Sequence, residues 1–192
     1  MKLYKYNKND IGIDEAGRGP FFGPVFAAAV IWGDAKDNEL IQDSKKLSQK
    51  KRKLAYEWIK SNIKNYSIGM ATVEEIDKLN ILEATKLAMS RALEGLNYEN
   101  NNILIDGCYW ERKFNQKVES IIKGDTLYSN IAAASIIAKE AHDEYILELC
   151  NKDTSLNENY DIANNKGYGT KKHRLGIKNH GLTQHHRKSF KI

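Results

Sequence analysis

Three short apolar runs in this chain each reach a carboxylate with a glycine close by, and this recurrence narrows the available folds more than any other feature. They are Asp10 to Glu15 (DIGIDE, with Gly17 just beyond), Asn102 to Asp106 (NILID, closed by Gly107) and Val118 to Asp125 (VESIIKGD, with Gly124 inside it). Apolar runs this short read as strands. Strand ends lie along the rim of a sheet, where side chains from separate strands converge. Neighbouring strands run about 4.8 Å apart, so acids at adjacent ends can share one ion. Carboxylates that close cannot all stay ionised without a cation between them. An all-oxygen donor set selects Mg²⁺ or Mn²⁺ over zinc. Any one of these acids alone is best read as closing a loop; the recurrence favours a metal site. Asp14 and Glu15 are neighbours and would point apart along a continuing strand, so a bend at Gly17 and Gly19 is expected to bring both into one site.

The remaining elements frame that rim. Pro24 to Trp32 reads as a second strand, joined to the first by the turn GRGPFFG, and Tyr66 to Thr72 as a third. Ser48 caps a helix expected to run to about Ile63, with Leu54, Trp58 and Ile59 on one face. Thr72-Val-Glu-Glu75 is a capping box opening a helical stretch that ends near Gly95. Ser129 to Cys150 is a long helix carrying the small-residue patch Ala132 to Ser135, followed by a polar, Asn-rich loop, then Gly167-Tyr-Gly-Thr170 and a short basic helix. Strands alternating with helices predict an α/β fold, a mixed sheet under helical cover.

At 192 residues the chain fits one domain, 1–192, with a basic helical segment from about residue 166. There is no apolar run of about 18 residues, so no transmembrane helix is expected. MKLYKYNKND lacks the apolar core of a signal peptide. Cys108 and Cys150 are too few for a disulfide framework or a cysteine-based zinc site, and a reducing cytoplasm is the expected compartment. The net charge of +5 is concentrated at one end. From Lys166 onward there are eight Lys/Arg and no acid, which leaves 22 basic against 25 acidic residues before it. A basic tail on a mildly acidic body points to a polyanion partner, nucleic acid first, although such a tail is often only a solvated surface.

The turn Gly17-Arg18-Gly19 is neither a Walker loop nor a dinucleotide fingerprint: no Gly-Lys-Ser/Thr follows, and Phe22 stands where a third glycine would be. Its glycines allow close backbone approach to a ligand, and Arg18 can pair with a phosphate. The alternative is a plain tight turn.

In order along the chain, DEAGRGP (14–20), DSKKLS (43–48), IDG (105–107), KGD (123–125), AAASIIAK (132–139), GYGTKKH (167–173) and HRKSF (186–190) together resemble bacterial ribonuclease HII. Only thirteen residues precede Asp14, which favours HII over the related HIII enzymes with their extra N-terminal domain. The resemblance implies a ribonuclease H-like fold with a helical C-terminal portion. It implies cleavage of the RNA strand of RNA/DNA hybrids and incision 5′ of single ribonucleotides in duplex DNA, in ribonucleotide excision repair. By the same resemblance Asp14, Glu15, Asp106 and Asp125 bind two divalent ions, Mg²⁺ or Mn²⁺, with Asp14 and Asp106 central. Gly17, Arg18 and Gly19 would read the ribose 2′-hydroxyl through backbone contacts, Tyr168 would stack on the next deoxyribose, and Lys46 or its neighbour Lys45 would contact a phosphate. The enzyme is expected to act as a monomer.

Asp143 is read as the partner of Lys139, four residues before it on one helix. His180, His185 and His186 lack a Cys pair or an H-E-x-x-H frame and are read as surface or backbone-contacting residues, while His173 is kept as a candidate for substrate contact. The stretch GLTQHHR departs from the family pattern at the tail. Two rivals stay open: another nuclease or strand-transfer enzyme on the same fold, lacking the ribose reader, and a non-catalytic hybrid-binding module with degenerate acids.

Overall fold

A computed structural model of the chain describes residues 8–99 and 101–191; the reading of the N-terminal segment as lacking a signal peptide falls partly outside them. Five strands form one mixed sheet in the order β3-β2-β1-β4-β5: β1 (Ile11–Ala16), β2 (Val25–Ile31), β3 (Asn65–Ala71), β4 (Ile103–Asp106) and β5 (Val118–Ile121). The first three strands pair antiparallel, β1 and β2 through a short turn and β2 and β3 across a long connection that carries a helix, while β4 and β5 run parallel to β1. Thus β1 sits at the centre of the sheet, with β4 beside it.

The two faces of the sheet are covered by different helices, and small residues set how closely they approach. On one face α3 (Ile81–Glu94) packs over Ile13, Ala27 and Ala29. A Cβ on Gly69 would lie 2.0 Å from the carbonyl of Ala88, so β3 accepts this helix only through a glycine. On the other face α4 (Ser129–Lys152) lies against Ala16, Ala28 and Val30 through Ala132 to Ala134. Here a Cβ on Gly12 would fall 2.4 Å from the backbone of Ile131. The small-residue patch of the sequence is thus the contact that lets α4 press onto β1.

Outside α4 lies α1 (Gln49–Asn62), capped by the Ser48 side chain accepting from Lys51 N–H. Its buried face is Arg52, Ala55, Tyr56 and the predicted Ile59, with Trp58 partly buried against the same cluster; of the predicted face only Leu54 turns outward, 53% exposed. The helix turns this way because Arg52 meets Glu140 and Asp143 of α4. The predicted helical stretch 72–95 is two helices, α2 (Val73–Leu79) and α3, because Asn80 sits at φ 72° and its side chain accepts from the N–H groups of Leu82 and Glu83. The capping box at Thr72 and Glu75 is present. The Asn-rich segment after α4 is not a loop: it forms α5 (Ser155–Tyr160) and α6 (Ile162–Asn165), which close Leu156, Tyr160 and Ile162 over Phe22. The basic helix α7 (Lys171–His180) follows.

Among the described residues no helix is long and apolar enough to cross a membrane.

Candidate metal centre and substrate cleft

Asp14 in β1 and Asp106 at the end of β4 come from adjacent parallel strands, so their carboxylates lie side by side at the rim. Asp125 reaches them by a different route. Strand β5 stops at Ile121, earlier than predicted, because Lys123 turns the backbone at φ 57° into a 3-10 turn (Gly124–Thr126) that carries Asp125 back toward the sheet. One oxygen from each of Asp14, Asp106 and Asp125 lies within 4.8 Å of the others.

Backbone donors orient two of these groups: Asp14 Oδ1 accepts from Glu15 N–H at 2.7 Å, and Asp106 Oδ1 from Gly124 N–H at 2.7 Å. Burial, then the charges of Glu15 and Asp106, push the Asp14 carboxyl well above the usual carboxylate range. Burial with the nearby Asp106 and Asp43 pushes Asp125 up to about 6. Three all-oxygen donors converging on one point and resisting common ionisation match a divalent cation and do not match zinc.

Glu15 stands apart from the triad. The strand continues straight through Ala16, and the turn comes after the acidic pair, so the expected bend does not fold Glu15 onto Asp14. Its carboxylate accepts instead from Arg18 Nη1 at 3.1 Å. It remains close enough to Asp106 to feel its charge: burial raises the Glu15 carboxyl, and Asp106 adds to that against the opposing effect of Arg18.

Two groups reaching this centre were not singled out from the sequence. Asp43, largely buried, caps the 3-10 turn (Ser44–Lys46) by accepting from Lys45 N–H at 2.9 Å. An aspartate preceding Ser-Lys-Lys is an N-cap signal, but nothing local says that the cap faces Asp125. Ser135 of α4 hydrogen-bonds the hydroxyl of Ser44 at 2.9 Å and also bonds to Asp14. Lys45 is drawn toward the acids. Burial works against its charge, yet Asp14, Asp125, Asp43 and Asp106 hold its ammonium above the usual lysine range. Lys46 lies 3.7 Å from Asp43.

Beside the metal centre runs a cleft lined by Glu15, Arg18, Gly19, Lys45, Lys139 and Tyr168. Gly17 has φ +88°, and a Cβ there would lie 2.6 Å from the His142 ring, so only glycine fits. Across the cleft a Cβ on Gly19 would be 3.4 Å from Cε1 of Tyr168, which places the turn and the tyrosine ring face to face. Lys139 Nζ sits 5.9 Å from that ring's centroid.

Asp143 accepts from Lys139 at 2.7 Å, as predicted, and also from Arg52 Nη2 at 3.0 Å, with His142 Nδ1 at 3.0 Å. Although burial works against it, His142 and Lys139 hold its carboxyl below the usual range. The histidine reading needs correction. His173 and His186 are both fully buried, stacked among Phe22 and Tyr160, so His173 does not line the cleft. Its ring lies behind Tyr168, with Nδ1 3.0 Å from the Tyr168 carbonyl oxygen. Arg187, counted in the basic tail, is also fully buried, and its guanidinium donates to four backbone carbonyls.

The ribonuclease HII family model matches residues 11–192. A ribonuclease HII of Wolbachia pipientis subsp. Culex pipiens is 50% identical over 181 residues, covering 93% of this chain and 88% of its own length. That of Pelagibacter ubique is 45% identical over 179 residues, covering 93% and 94%. Among solved structures, ribonuclease HII in its complex with PCNA from Archaeoglobus fulgidus superposes with a TM-score of 0.74 at 26% identity, over 95% of each chain. Ribonuclease H2 from Pyrococcus horikoshii gives 0.70 at 25% identity, over 94% of this chain and 92% of that one. Sequence agreement along nearly the whole length, together with a shared sheet and helical cover, means that this chain belongs to the ribonuclease HII family and is a ribonuclease H.

Proposed function

We propose that the enzyme hydrolyses the RNA strand of RNA/DNA hybrids and incises 5′ of single ribonucleotides embedded in duplex DNA, leaving 3′-hydroxyl and 5′-phosphate ends. The observation that carries this reading is the adjacency of the carboxylate triad to a cleft with a glycine turn on one wall and a tyrosine ring on the other. A 2′-hydroxyl is the one group that separates RNA from DNA at a given position.

Asp14, Asp106, Asp125 and the more peripheral Glu15 hold the cations, Asp14 and Asp106 centrally. When bound, two divalent ions, Mg²⁺ or Mn²⁺, supply the charge that activates an attacking water and stabilises the departing 3′ oxygen of an in-line displacement. The backbone of Gly17, Arg18 and Gly19 contacts the 2′-hydroxyl, and the Tyr168 ring stacks on the following sugar. Lys45, which borders both the cleft and the triad, or its neighbour Lys46 contacts a phosphate and offsets its charge as the strand enters. The exposed lysines and arginines beyond residue 166 add sequence-independent phosphate contacts, so binding weakens steeply with salt. The enzyme acts as a single-domain monomer in the cytoplasm, in ribonucleotide excision repair.

The test is cleavage of a DNA duplex carrying one ribonucleotide, with an all-DNA duplex and EDTA as controls, for wild type and Asp106→Asn. Metal-dependent incision 5′ of the ribonucleotide, lost in the variant, is expected. Equal cutting of the all-DNA duplex would replace this reading with that of a general nuclease. Binding without cutting would leave only a hybrid-binding module.

A further inference from the structure

Arg187 is a buried cation with no carboxylate in ion-pair contact among the described residues, and Asp77 acts on it only through its charge at longer range. Its guanidinium donates to four backbone carbonyls: Gly17 at 2.5 Å and Pro24 at 3.1 Å from Nη2, Arg18 at 3.0 Å from Nη1, and Gly23 at 2.8 Å from Nε. The Phe190 ring lies over it, 5.1 Å from centroid to guanidinium carbon. Burial lowers its pKa to about 10, so it stays charged at neutral pH. Removing a cation from water without a counter-ion in contact is costly, and simple anchoring of the tail does not require it. The Arg187 backbone N–H already donates to the Phe21 carbonyl, Gly23 N–H donates to the His185 carbonyl, and His186 forms a bridge with Phe22.

What the guanidinium fixes is the direction of two peptide planes. The described chain has no cis peptide bond. In a trans peptide the C=O and the following N–H point in opposite directions. Drawing the Gly17 and Arg18 carbonyls inward therefore turns the N–H groups of Arg18 and Gly19 outward. Both residues are exposed while Gly17 is buried, and neither amide has a hydrogen-bond partner among the described residues. They open on the cleft beside the Glu15 carboxylate and the Tyr168 ring.

We infer that Arg187 is a positioning residue for ribose discrimination: from beneath the 17–19 turn it locks two amide donors toward the cleft, where a sugar hydroxyl can accept. The inference rests on the proposed reading of that turn as the ribose reader. Its five-donor planar fork suits this task, whereas a lysine presents a compact point charge that cannot hold two adjacent carbonyls in fixed directions.

The test is binding in EDTA, where no strand is cut, of two duplexes identical except for one ribonucleotide. Wild type is expected to prefer the ribonucleotide duplex. In Arg187→Lys and Arg187→Gln the preference should fall about tenfold, as when an oriented donor no longer meets its acceptor, while affinity for the all-DNA duplex changes by less than about twofold. If folded variants keep the wild-type preference, Arg187 is purely structural and the inference is overturned, with the ribose-reading turn intact. If wild type itself shows no preference, the ribose-reading turn fails and the inference falls with it. Should both variants fail to fold, amide NMR of the wild type decides. The Arg18 and Gly19 N–H signals should move with the ribonucleotide duplex and not with all-DNA; if both signals stay fixed while wild type discriminates, the inference is overturned.

Discussion

The Nε2 atoms of His173 and His186 lie 3.0 Å apart, and their other nitrogens decide which one carries the proton. His186 Nδ1 accepts from the Thr183 backbone N–H at 2.9 Å, so its proton is on Nε2 and is donated to His173. His173 then carries its own proton on Nδ1 and donates it to the Tyr168 carbonyl. Both rings are neutral in this chain of bonds, and protonating either one would place two donors face to face.

That relay predicts a pH dependence of stability. Burial, then the neighbouring His173 and His185, lowers the His186 pKa to about 4, against about 6.5 in an unfolded chain. Between these values the unfolded state binds more protons, so stability rises with pH through the window. It should be fully present above about 6.5 and decline as pH falls toward about 4. Urea titrations across this range check the sign, and His186→Gln should flatten the slope.

Arg52 is buried between Glu140 at 2.5 Å and Asp143 at 3.0 Å. Arg52→Met leaves two buried carboxylates short of their cation and should cost about 3–5 kcal/mol in urea denaturation. The double variant Arg52→Met/Glu140→Leu should recover part of that loss, because it removes one of the stranded charges as well.

Asp106→Asn removes a charge from a cluster in which Asp14 is already hard to ionise, while the amide oxygen can still accept from Gly124. Without metal the variant should therefore match or exceed wild-type stability, by up to about 1 kcal/mol. Wild type should gain about 2.7 kcal/mol from Mn²⁺ at a hundredfold excess over its dissociation constant; the variant should gain little. Thermal melts with and without Mn²⁺ measure both effects.

The two glycines of the turn should respond differently. Gly17→Ala forces a Cβ into His142 at a positive φ and should destabilise by about 1–3 kcal/mol. Gly19→Ala meets only the edge of Tyr168, so its stability should stay within about 0.5 kcal/mol. Its added methyl nonetheless narrows the cleft, and ribonucleotide-specific cleavage should drop. Melting curves paired with cleavage assays separate the two.

Much of this site could be read from the sequence because its acids lie at or near the ends of short apolar runs. Asp106 ends the apolar run of β4 and Asp14 follows that of β1, at the point where the pairing of the two strands stops at Ile13 and Ile105. The run VESIIKGD predicts a strand that reaches Asp125, whereas a left-handed Lys123 ends the strand early and returns the acid by a turn. Asp43 and Ser135 are each ordinary in their own segments, one a cap and one a small helix residue; the packing of α4 on β1 brings Ser135 to Asp14, and the turn after Asp43 brings that acid beside Asp125. Arg187 could not be told from the other cations of the tail, since burial of a single guanidinium depends on carbonyls some 160 residues away in sequence. The division at Asn80 was hidden by helix-forming residues on both sides.

Helix α4 carries Ser135, which meets Asp14, and one turn later Lys139, which overhangs Tyr168. At 1.5 Å per residue these two points are about 6 Å apart along a rigid rod. The spacing between the cutting end of the site and its gauging end is thus written in helical pitch, not in loop conformation. Such a ruler resists thermal drift, and it makes α4 intolerant of inserted or deleted residues in that turn even where every side chain that touches substrate is retained.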